Sequence, residues 1–334
     1  MRSIALSGLA AAGLLLGSGQ RAAALDTVKM TIAAFSTNYA PFFNATEQGY
    51  FKDEGIDVEV ENAGGGVATP ALLSGQFDFS TSESSAFSAI MKGGRLKVIA
   101  IEANRATFQL WSTDPDLKTV QDLKGKMVGI QTRGDTFEIW MRLVLKAHGM
   151  NGDDVGYTPT GFGDAARLAI IKSATLPAVI LSPIDVETLK KDGVAFRGHL
   201  LEDGMRDDVH MPFNGVATSD ELIKKNPDLV LRFLRATLKG TRFMVAFKDK
   251  TIANVMKYNK SDRHSIEIDY DDVVQTLTKD GTVPPAVQQE EADIRADLLQ
   301  LPKDKIPPLD RMFDFSFVKK ADASLDAEHW TPRL

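Results

Sequence analysis

The chain has 334 residues, 43% of them hydrophobic and 25% charged, with a formal net charge of −6 and no cysteine. This is the composition of a globular protein of about two domains, and it excludes a disordered, collagen-like or repeat chain. The missing cysteines exclude a disulfide scaffold, a thiolate metal site and a cysteine nucleophile, and the mildly acidic charge without a basic cluster argues against nucleic acid as a partner.

The first 24 residues have the features of a secretory signal peptide. Arg2 supplies a positive start, an apolar run extends from Ile4 to Leu16, and Ala22-Ala23-Ala24 is a site that signal peptidase accepts. A membrane anchor is the weaker alternative, because the run is shorter than the roughly 20 residues that span a bilayer. We therefore expect a monomeric, non-lipidated chain that begins at Leu25 or Asp26 and is exported to the periplasm.

Strands and helices alternate through the first part of the mature chain. The pattern predicts, in order, a strand over Val28–Phe35, a helix over Phe42–Lys52, a strand over Ile56–Val60, a helix over Thr69–Ser74, a strand over Phe77–Ser80, a helix over Ser85–Lys92 and a strand over Leu96–Ile101. Such alternation with short loops is typical of a doubly wound α/β domain with a mostly parallel sheet.

A second α/β unit and a helical segment follow. The predicted elements are a strand over Met127–Ile130, helices over Thr136–Ala147 and Asp164–Ser173, a strand over Ala178–Leu181, a helix over Ile184–Lys191, a short strand over Val216–Thr218, and helices within Leu222–Asn259, Ile268–Lys279 and Ala286–Leu299. The last part shows no further sheet, so we expect it to pack on the first unit.

Motifs for cofactors and catalysis are missing from the sequence. Gly64-Gly65-Gly66 lacks the Gly-Lys-Ser/Thr ending of a phosphate loop, and no acidic residue follows Gly161–Ala166 where a dinucleotide site needs one. The five histidines lack the spacing of a catalytic zinc site, and no G-x-S-x-G motif occurs. We therefore predict no catalytic residue, no metal and no cofactor.

Five segments spread over nearly the whole mature chain carry a family resemblance. They are Gly49–Val60 (GYFKDEGIDVEV), Ala71–Phe79 (ALLSGQFDF), Gly93–Ala100 (GGRLKVIA), Asp122–Gly129 (DLKGKMVG) and Phe313–Ala321 (FDFSFVKKA). In order and spacing they resemble the solute-binding proteins of ABC importers for aliphatic sulfonates, taurine, nitrate and thiamine precursors. The chain departs from these relatives at Ala174–Ala178, where they usually carry Gly-x-x-Asp-Ala.

The resemblance implies the type II periplasmic-binding-protein fold, in which two doubly wound α/β lobes enclose a ligand cleft. Lobe I would comprise residues 25–103 and 213–334, and lobe II residues 104–212. The partners implied are a small-molecule solute and an ABC permease and ATPase pair at the inner membrane. A carrier of this kind releases its solute unchanged, which agrees with the missing catalytic motifs.

Ligands of open α/β sheets lie beyond the carboxyl ends of the strands and against helix N-termini, which indicates the candidate ligand-binding residues. The candidates are Ser36, Thr37, Asn38, Tyr39 and Phe42 after the first strand, Gly65, Gly66 and Val67 before the second helix, Ser82, Glu83 and Ser84 after the third strand, and Thr132, Arg133, Asp135, Thr136, Phe162, Gly163 and Ser182 in lobe II. The polar candidates have an alternative role as helix caps, and Tyr39 and Phe42 have one as core residues.

Arg133 is the candidate with the clearest chemistry, because a guanidinium in the cleft would bind an anionic group bidentately. Its alternative is a surface ion pair with Asp135 or Glu138. Glu83 argues for a different ligand, since a carboxylate would instead accept a hydrogen bond from an amine or a heterocyclic N–H. We expect an organic anion, such as an aromatic or heterocyclic acid or a sulfonate.

Two other functions remain open at this stage. One is an enzyme of the same fold, related to thiamine-pyrimidine synthases, although those need a cysteine-rich motif that this chain lacks. The other is a ligand-sensing module that feeds a receptor.

Overall fold

The computed structural model describes residues 24–161, 164–191, 198–204 and 206–334. The predicted signal peptide, apart from its last residue, and the candidates Phe162 and Gly163 lie outside the described residues. Within these ranges, every helix is too short or too polar to cross a bilayer.

The strands of the described chain form two five-stranded sheets. In chain order they are β1 (Asp26–Ile32), β2 (Ile56–Asn62), β3 (Phe79–Ser80), β4 (Leu96–Ala103), β5 (Gln109–Ser112), β6 (Met127–Ile130), β7 (Gly156–Pro159), β8 (Ala178–Leu181), β9 (His199–Asp203) and β10 (Phe213–Ser219). The strand order is β2-β1-β3-β10-β4 in the first sheet and β7-β6-β8-β5-β9 in the second. The chain thus leaves the first sheet after β4 and returns to it with β10.

Each sheet is mostly parallel, as the sequence predicted, with one antiparallel strand among its five described strands. β10 runs antiparallel to β3 and β4, and β5 runs antiparallel to β8 and β9. Parallel neighbours need a long crossover connection, but β5 and β10 are each reached through a short segment that joins the two sheets. As a consequence, the beginnings of β5 and β10 lie at the same sheet edges as the ends of β8 and β4.

Helices cover both sheets. They are α1 (Ala40–Glu47), α2 (Tyr50–Asp53), α3 (Gly65–Leu73), α4 (Glu83–Met91), α5 (Thr136–Ala147), α6 (Asp164–Lys172), α7 (Pro183–Lys191), α8 (Asp220–Lys225), α9 (Pro227–Ala246), α10 (Lys248–Tyr258), α11 (Arg263–Thr276), α12 (Pro285–Leu298), α13 (Leu309–Met312) and α14 (Ser316–Ala327). The single helix predicted over Phe42–Lys52 is interrupted at Gly49, which has a φ of +76°. Such a left-handed backbone ends α1 and lets α2 begin in a new direction.

Close helix packing fixes the core of the first lobe. A Cβ on Gly240 of α9 would lie 2.0 Å from the carbonyl oxygen of Pro41, so only glycine allows α1 and α9 to approach this closely. Phe233 of α9 stacks on Phe79 of β3 with ring centroids 3.8 Å apart. The long helix α9 therefore packs directly on α1 and on the first sheet.

The helix α12 packs against both lobes. Its residues Ala292 and Ala296 belong to a buried cluster with the first sheet, whereas Ile294 and Leu298 pack on the buried cluster of the second lobe. Lys146 Nζ of α5 lies 2.6 Å from Glu290 Oε1 of α12. This helix therefore adds a contact between the lobes beyond the two crossover segments.

Candidate ligand-binding cleft

A cavity of about 560 Å³ lies between the two sheets, where strands of both lobes end. Its volume is that of a typical small-molecule site. Residues that follow β1, β3, β6 and β8 line it, together with residues that begin β10 and follow α10. The lining comprises Ala33, Ala34, Phe35, Ser36, Asn38, Tyr39, Gly64, Gly65, Thr81, Ser82, Glu83, Ser84, Ser85, Phe108, Gln131, Thr132, Asp135, Thr136, Phe137, Ser182, Ile184, Phe213, Asn214, Tyr258, Asn259, Lys260, Ser261 and Asp269.

Aromatic side chains from both lobes form part of the cavity wall. Phe108 and Phe137 stack with ring centroids 4.2 Å apart, and Phe213 meets Phe108 edge-on at 5.3 Å. Phe35 and Tyr258 of the first lobe meet edge-on at 5.8 Å. The wall therefore combines aromatic rings of both lobes, which are the side chains that pack best against a ring-shaped ligand.

Tyr258 is held in position from behind the cavity. Its hydroxyl donates to Glu47 Oε1 at 2.9 Å, and its ring stacks on Phe43 at 4.2 Å. Burial and the neighbouring Glu47 raise the pKa of Tyr258, so the phenol stays neutral. The ring can therefore act as a fixed platform in the wall.

Three carboxyl groups line the cavity in the part of the chain that the structure describes. Burial raises the pKa of Glu83 to about 7, although the N–H groups of Gly215 and Glu83 itself oppose this, and it raises the pKa of Asp269 to about 6. Both residues are almost fully buried, at 6% and 3% exposure. Burial also raises the pKa of Asp135 to about 6. Among the lining residues that the structure describes, Lys260 is the cationic one, and its side chain is exposed.

Two of the polar candidates act as helix caps. Asp135 accepts from the N–H of Thr132 at 2.7 Å and from the N–H of Glu138 at 3.0 Å, which caps α5. Ser182 donates from its hydroxyl to Asp185 Oδ2 at 2.9 Å and accepts from the N–H of Asp185 at 3.2 Å, at the start of α7. Asp135 and Ser182 thus form the hydrogen bonds of helix caps, which was the alternative role given to them, and both also line the cavity.

Gly65 allows α3 and α4 to meet at the cavity. A Cβ on Gly65 would lie 1.8 Å from Ser85 Oγ and 2.4 Å from Ser85 Cβ, so no larger residue fits without a shift of α4. The helix α3 begins at Gly65, four residues before the predicted start. Gly65, Gly66 and Val67 are therefore its first turn rather than a loop that precedes it.

Arg133 does not line the cavity. Its guanidinium lies 3.1 Å from Glu138 Oε1 and 5.1 Å from the centre of the Tyr157 ring, and its side chain is 53% exposed. Glu138 is fully buried and attracts the guanidinium toward α5 and β7. The structure therefore shows the ion pair that the sequence left as the alternative.

Most of the candidates meet in the cavity. Those that line it are Ser36, Asn38, Tyr39, Gly65, Ser82, Glu83, Ser84, Thr132, Asp135, Thr136 and Ser182. Thr37 and Phe42 are buried in the first lobe instead, and Gly66 and Val67 are exposed on α3. These four and Arg133 are not brought into the cavity.

Sequence reasoning missed two groups of lining residues. Phe108 precedes β5 and Phe213 begins β10, the two strands that run antiparallel to their neighbours, so both residues lie where the neighbouring strands end. Tyr258–Ser261 and Asp269 come from the helical segment that was expected only to pack on the first lobe. The aromatic and polar residues Tyr258–Ser261 at the end of α10 were the feature of the sequence that could have indicated a ligand-binding loop.

Comparison with known proteins identifies the family. The family model described as NMT1/THI5 like matches residues 36–250. The chain belongs to this family. Among curated proteins, this NMT1/THI5-like chain is 29% identical over 218 residues to the riboflavin-binding protein RibY of Chloroflexus aurantiacus. That match covers 64% of this chain and 60% of RibY.

Solved structures show the same fold. The periplasmic aliphatic sulphonate-binding protein SsuA of Escherichia coli superimposes with a TM-score of 0.68 at 18% identity, over 86% of this chain and 92% of SsuA. The periplasmic nitrate-binding protein NrtA of Synechocystis PCC 6803 does so with a TM-score of 0.71 at 16% identity, over 91% of this chain and 90% of NrtA. The predicted two-lobed α/β fold and the resemblance to solute-binding proteins are thus confirmed.

Proposed function

We propose that this chain is the exported solute-binding component of an ABC importer, and that it captures an uncharged heteroaromatic solute between its lobes for delivery to a permease and ATPase pair. The character of the cleft carries this proposal. Flat aromatic side chains line it from both lobes, and among the described lining residues the buried groups that ionise near neutral pH are carboxyls.

The charges of the cleft argue against the organic anion that the sequence favoured. Glu83 and Asp269 are buried in the lining, and an anion enclosed beside their carboxylates would be repelled. Arg133, the expected anchor of an anion, forms its ion pair with Glu138 outside the cavity. A neutral ring whose N–H or O–H groups donate to the carboxyls avoids this repulsion and satisfies the acceptors.

The similarity to RibY supports the same class of solute. RibY is named a riboflavin-binding protein, and riboflavin is an uncharged heteroaromatic compound with N–H and O–H donors. Such a planar ring can stack on the aromatic side chains of the lining, and stacking contributes about 0.5–1.5 kcal/mol per pair beyond the area buried.

A thermal-shift and calorimetric screen tests the proposal. Riboflavin and lumichrome represent uncharged heteroaromatics, while benzenesulfonate, taurine and nitrate represent the anions. A solute at 100 times its Kd stabilises the folded state by about 2.7 kcal/mol. We expect this stabilisation with the first pair only, and binding of the anions alone would refute the proposal.

A matched pair of variants locates the binding site. Tyr258→Ala removes one ring of the wall and should weaken riboflavin binding about tenfold, the equivalent of one stacking contact. Val67→Ala is the control, because Val67 is 69% exposed and outside the cavity lining. Equal affinities of the two variants would contradict the proposed location.

A solute with one anionic group is the second candidate, and Lys260 is the observation that favours it. Its exposed side chain lines the cavity, onto which the first turns of α4 and α5 also open. Free N–H groups of such turns stabilise an anion. Lys260→Ala should abolish binding of an anionic solute, whereas it should change riboflavin affinity less than twofold.

A further inference from the structure

Two side-chain amides of the cavity lining each have one buried atom without a hydrogen-bond partner. Asn214 is 5% exposed, and its Nδ2 has no hydrogen-bond partner. Asn38 Oδ1 is buried and unpaired as well. Both residues line the same cavity. Buried donors and acceptors are nearly always paired in native proteins, so two unpaired amides that border one cavity indicate groups that a ligand completes.

The backbone of Asn214 is also unusual. Its φ is +50°, in the left-handed region that residues other than glycine rarely adopt and that asparagine tolerates best. It lies at the beginning of β10, where the pairing with β4 passes from Phe213 opposite Ala103 to Gly215 opposite Ile101. Strained backbone of this kind clusters at ligand sites, where the surrounding structure maintains it.

Glu83 lies beside the same strand. A Cβ on Gly215 would be 3.1 Å from Glu83 Cγ, so the carboxyl-bearing side chain packs directly on the residue that follows Asn214. The Gly215 N–H interacts with the Glu83 carboxylate. The beginning of β10 thus brings an unpaired amide donor and a buried carboxyl acceptor into one corner of the cavity.

We propose that Asn214 determines the specificity of the cleft: its Nδ2 donates to a ring carbonyl of the solute, while Glu83 accepts from the adjacent ring N–H. The preferred solute is therefore a heteroaromatic compound with a cyclic amide or imide edge. Asn38 Oδ1 accepts from a further N–H or O–H group. This inference rests on the proposed function and names the part of the solute that the site reads.

Calorimetric titration with riboflavin and N3-methylriboflavin tests the pairing. N3-methylation removes the imide N–H and leaves both carbonyls, so the wild-type protein should bind the methylated compound at least tenfold more weakly. Asn214→Gly keeps a backbone that accepts φ +50° and removes the amide, and it should weaken riboflavin binding roughly tenfold. Asn214→Asp replaces the donor by an acceptor beside Glu83 and should weaken it at least as much.

Gln300→Gly is the matched control. Gln300 has a similar φ of +54° and is outside the cavity lining, so its replacement relieves the same kind of strain without touching the site. Urea unfolding should give a similar change in stability for Gln300→Gly and Asn214→Gly, whereas the loss of affinity should belong to Asn214→Gly alone.

The outcomes separate the inference from the proposed function. Wild-type protein that binds riboflavin, together with an Asn214→Gly variant that binds it equally well, would overturn the inference alone. So would equal affinities for riboflavin and its N3-methyl derivative. Wild-type protein that binds neither riboflavin nor lumichrome would overturn the proposed function and this inference with it.

Discussion

Arg133→Ala distinguishes an anion-binding cleft from the one proposed above. The Arg133 guanidinium lies 3.1 Å from Glu138 Oε1 with its side chain 53% exposed. Glu138 is fully buried, but it also accepts from Arg142 at 3.1 and 3.2 Å and from the Gly134 N–H at 2.8 Å. The substitution therefore leaves the buried carboxylate with its other partners.

The expected loss of stability is small. A half-exposed ion pair contributes about 0.5 kcal/mol, and an exposed cation over the Tyr157 ring contributes about as much, so the variant should lose roughly 1 kcal/mol. Arg142→Ala is the comparison, because Arg142 is only 11% exposed and bonds both Glu138 and Asp153. Removal of the Arg142 side chain leaves the buried Glu138 carboxylate poorly compensated and should lower the free energy of unfolding by about 3 kcal/mol.

Urea unfolding and calorimetric titration of both variants give the answer. We expect Arg133→Ala to bind riboflavin within twofold of the wild-type affinity and Arg142→Ala to be the less stable of the two. A tenfold or larger loss of ligand affinity in Arg133→Ala, with stability unchanged, would refute the assignment of Arg133 to the Glu138 pair.

Two further predictions concern the first lobe. Burial raises the pKa of Glu102 to about 7 while its carboxylate accepts from the Thr241 hydroxyl at 2.9 Å, so wild-type stability should fall as the pH rises from about 4.5 to 7. Glu102→Gln keeps the hydrogen-bond acceptor without the charge. In urea unfolding, its free energy of unfolding should match that of the wild type at pH 4.5 and exceed it by up to about 3 kcal/mol at pH 8. An equal difference at both pH values would contradict this. Gly240→Ala forces α1 and α9 apart at Pro41 and should lower the free energy of unfolding by about 1–3 kcal/mol in the same assay. A gain in stability, which alanine usually gives over glycine inside a helix, would show that the two helices move apart without cost.

Local patterns predicted those elements whose residues carry a regular apolar period. The helix over Thr136–Ala147 has the predicted bounds because its apolar residues recur at helical spacing and Asp135 caps it. The strands β7 and β9 were not predicted, since they are short and contain polar residues and, in β7, a glycine and a proline. Neighbouring strands, rather than their own composition, hold them in their sheet.

The candidate site shows the same division. Residues after parallel strands, such as Ser82 and Thr132, were predicted to line the cleft because strand ends mark it, and they do line the cavity. The direction of Arg133 could not be predicted, because it depends on the buried Glu138 and on Tyr157 of a strand that the pattern did not indicate. Asp269 enters the cavity from a helix distant in sequence, and no local pattern indicates such a contact.

The central claim is tested most directly by identifying the solute that remains bound when the protein is purified from the cells that naturally produce it. The protein is purified under native conditions and then unfolded, and the released small molecule is analysed by mass spectrometry. We predict one uncharged heteroaromatic compound with a cyclic amide or imide group per chain. Release of one sulfonate, nitrate or carboxylate ion per chain would contradict the account.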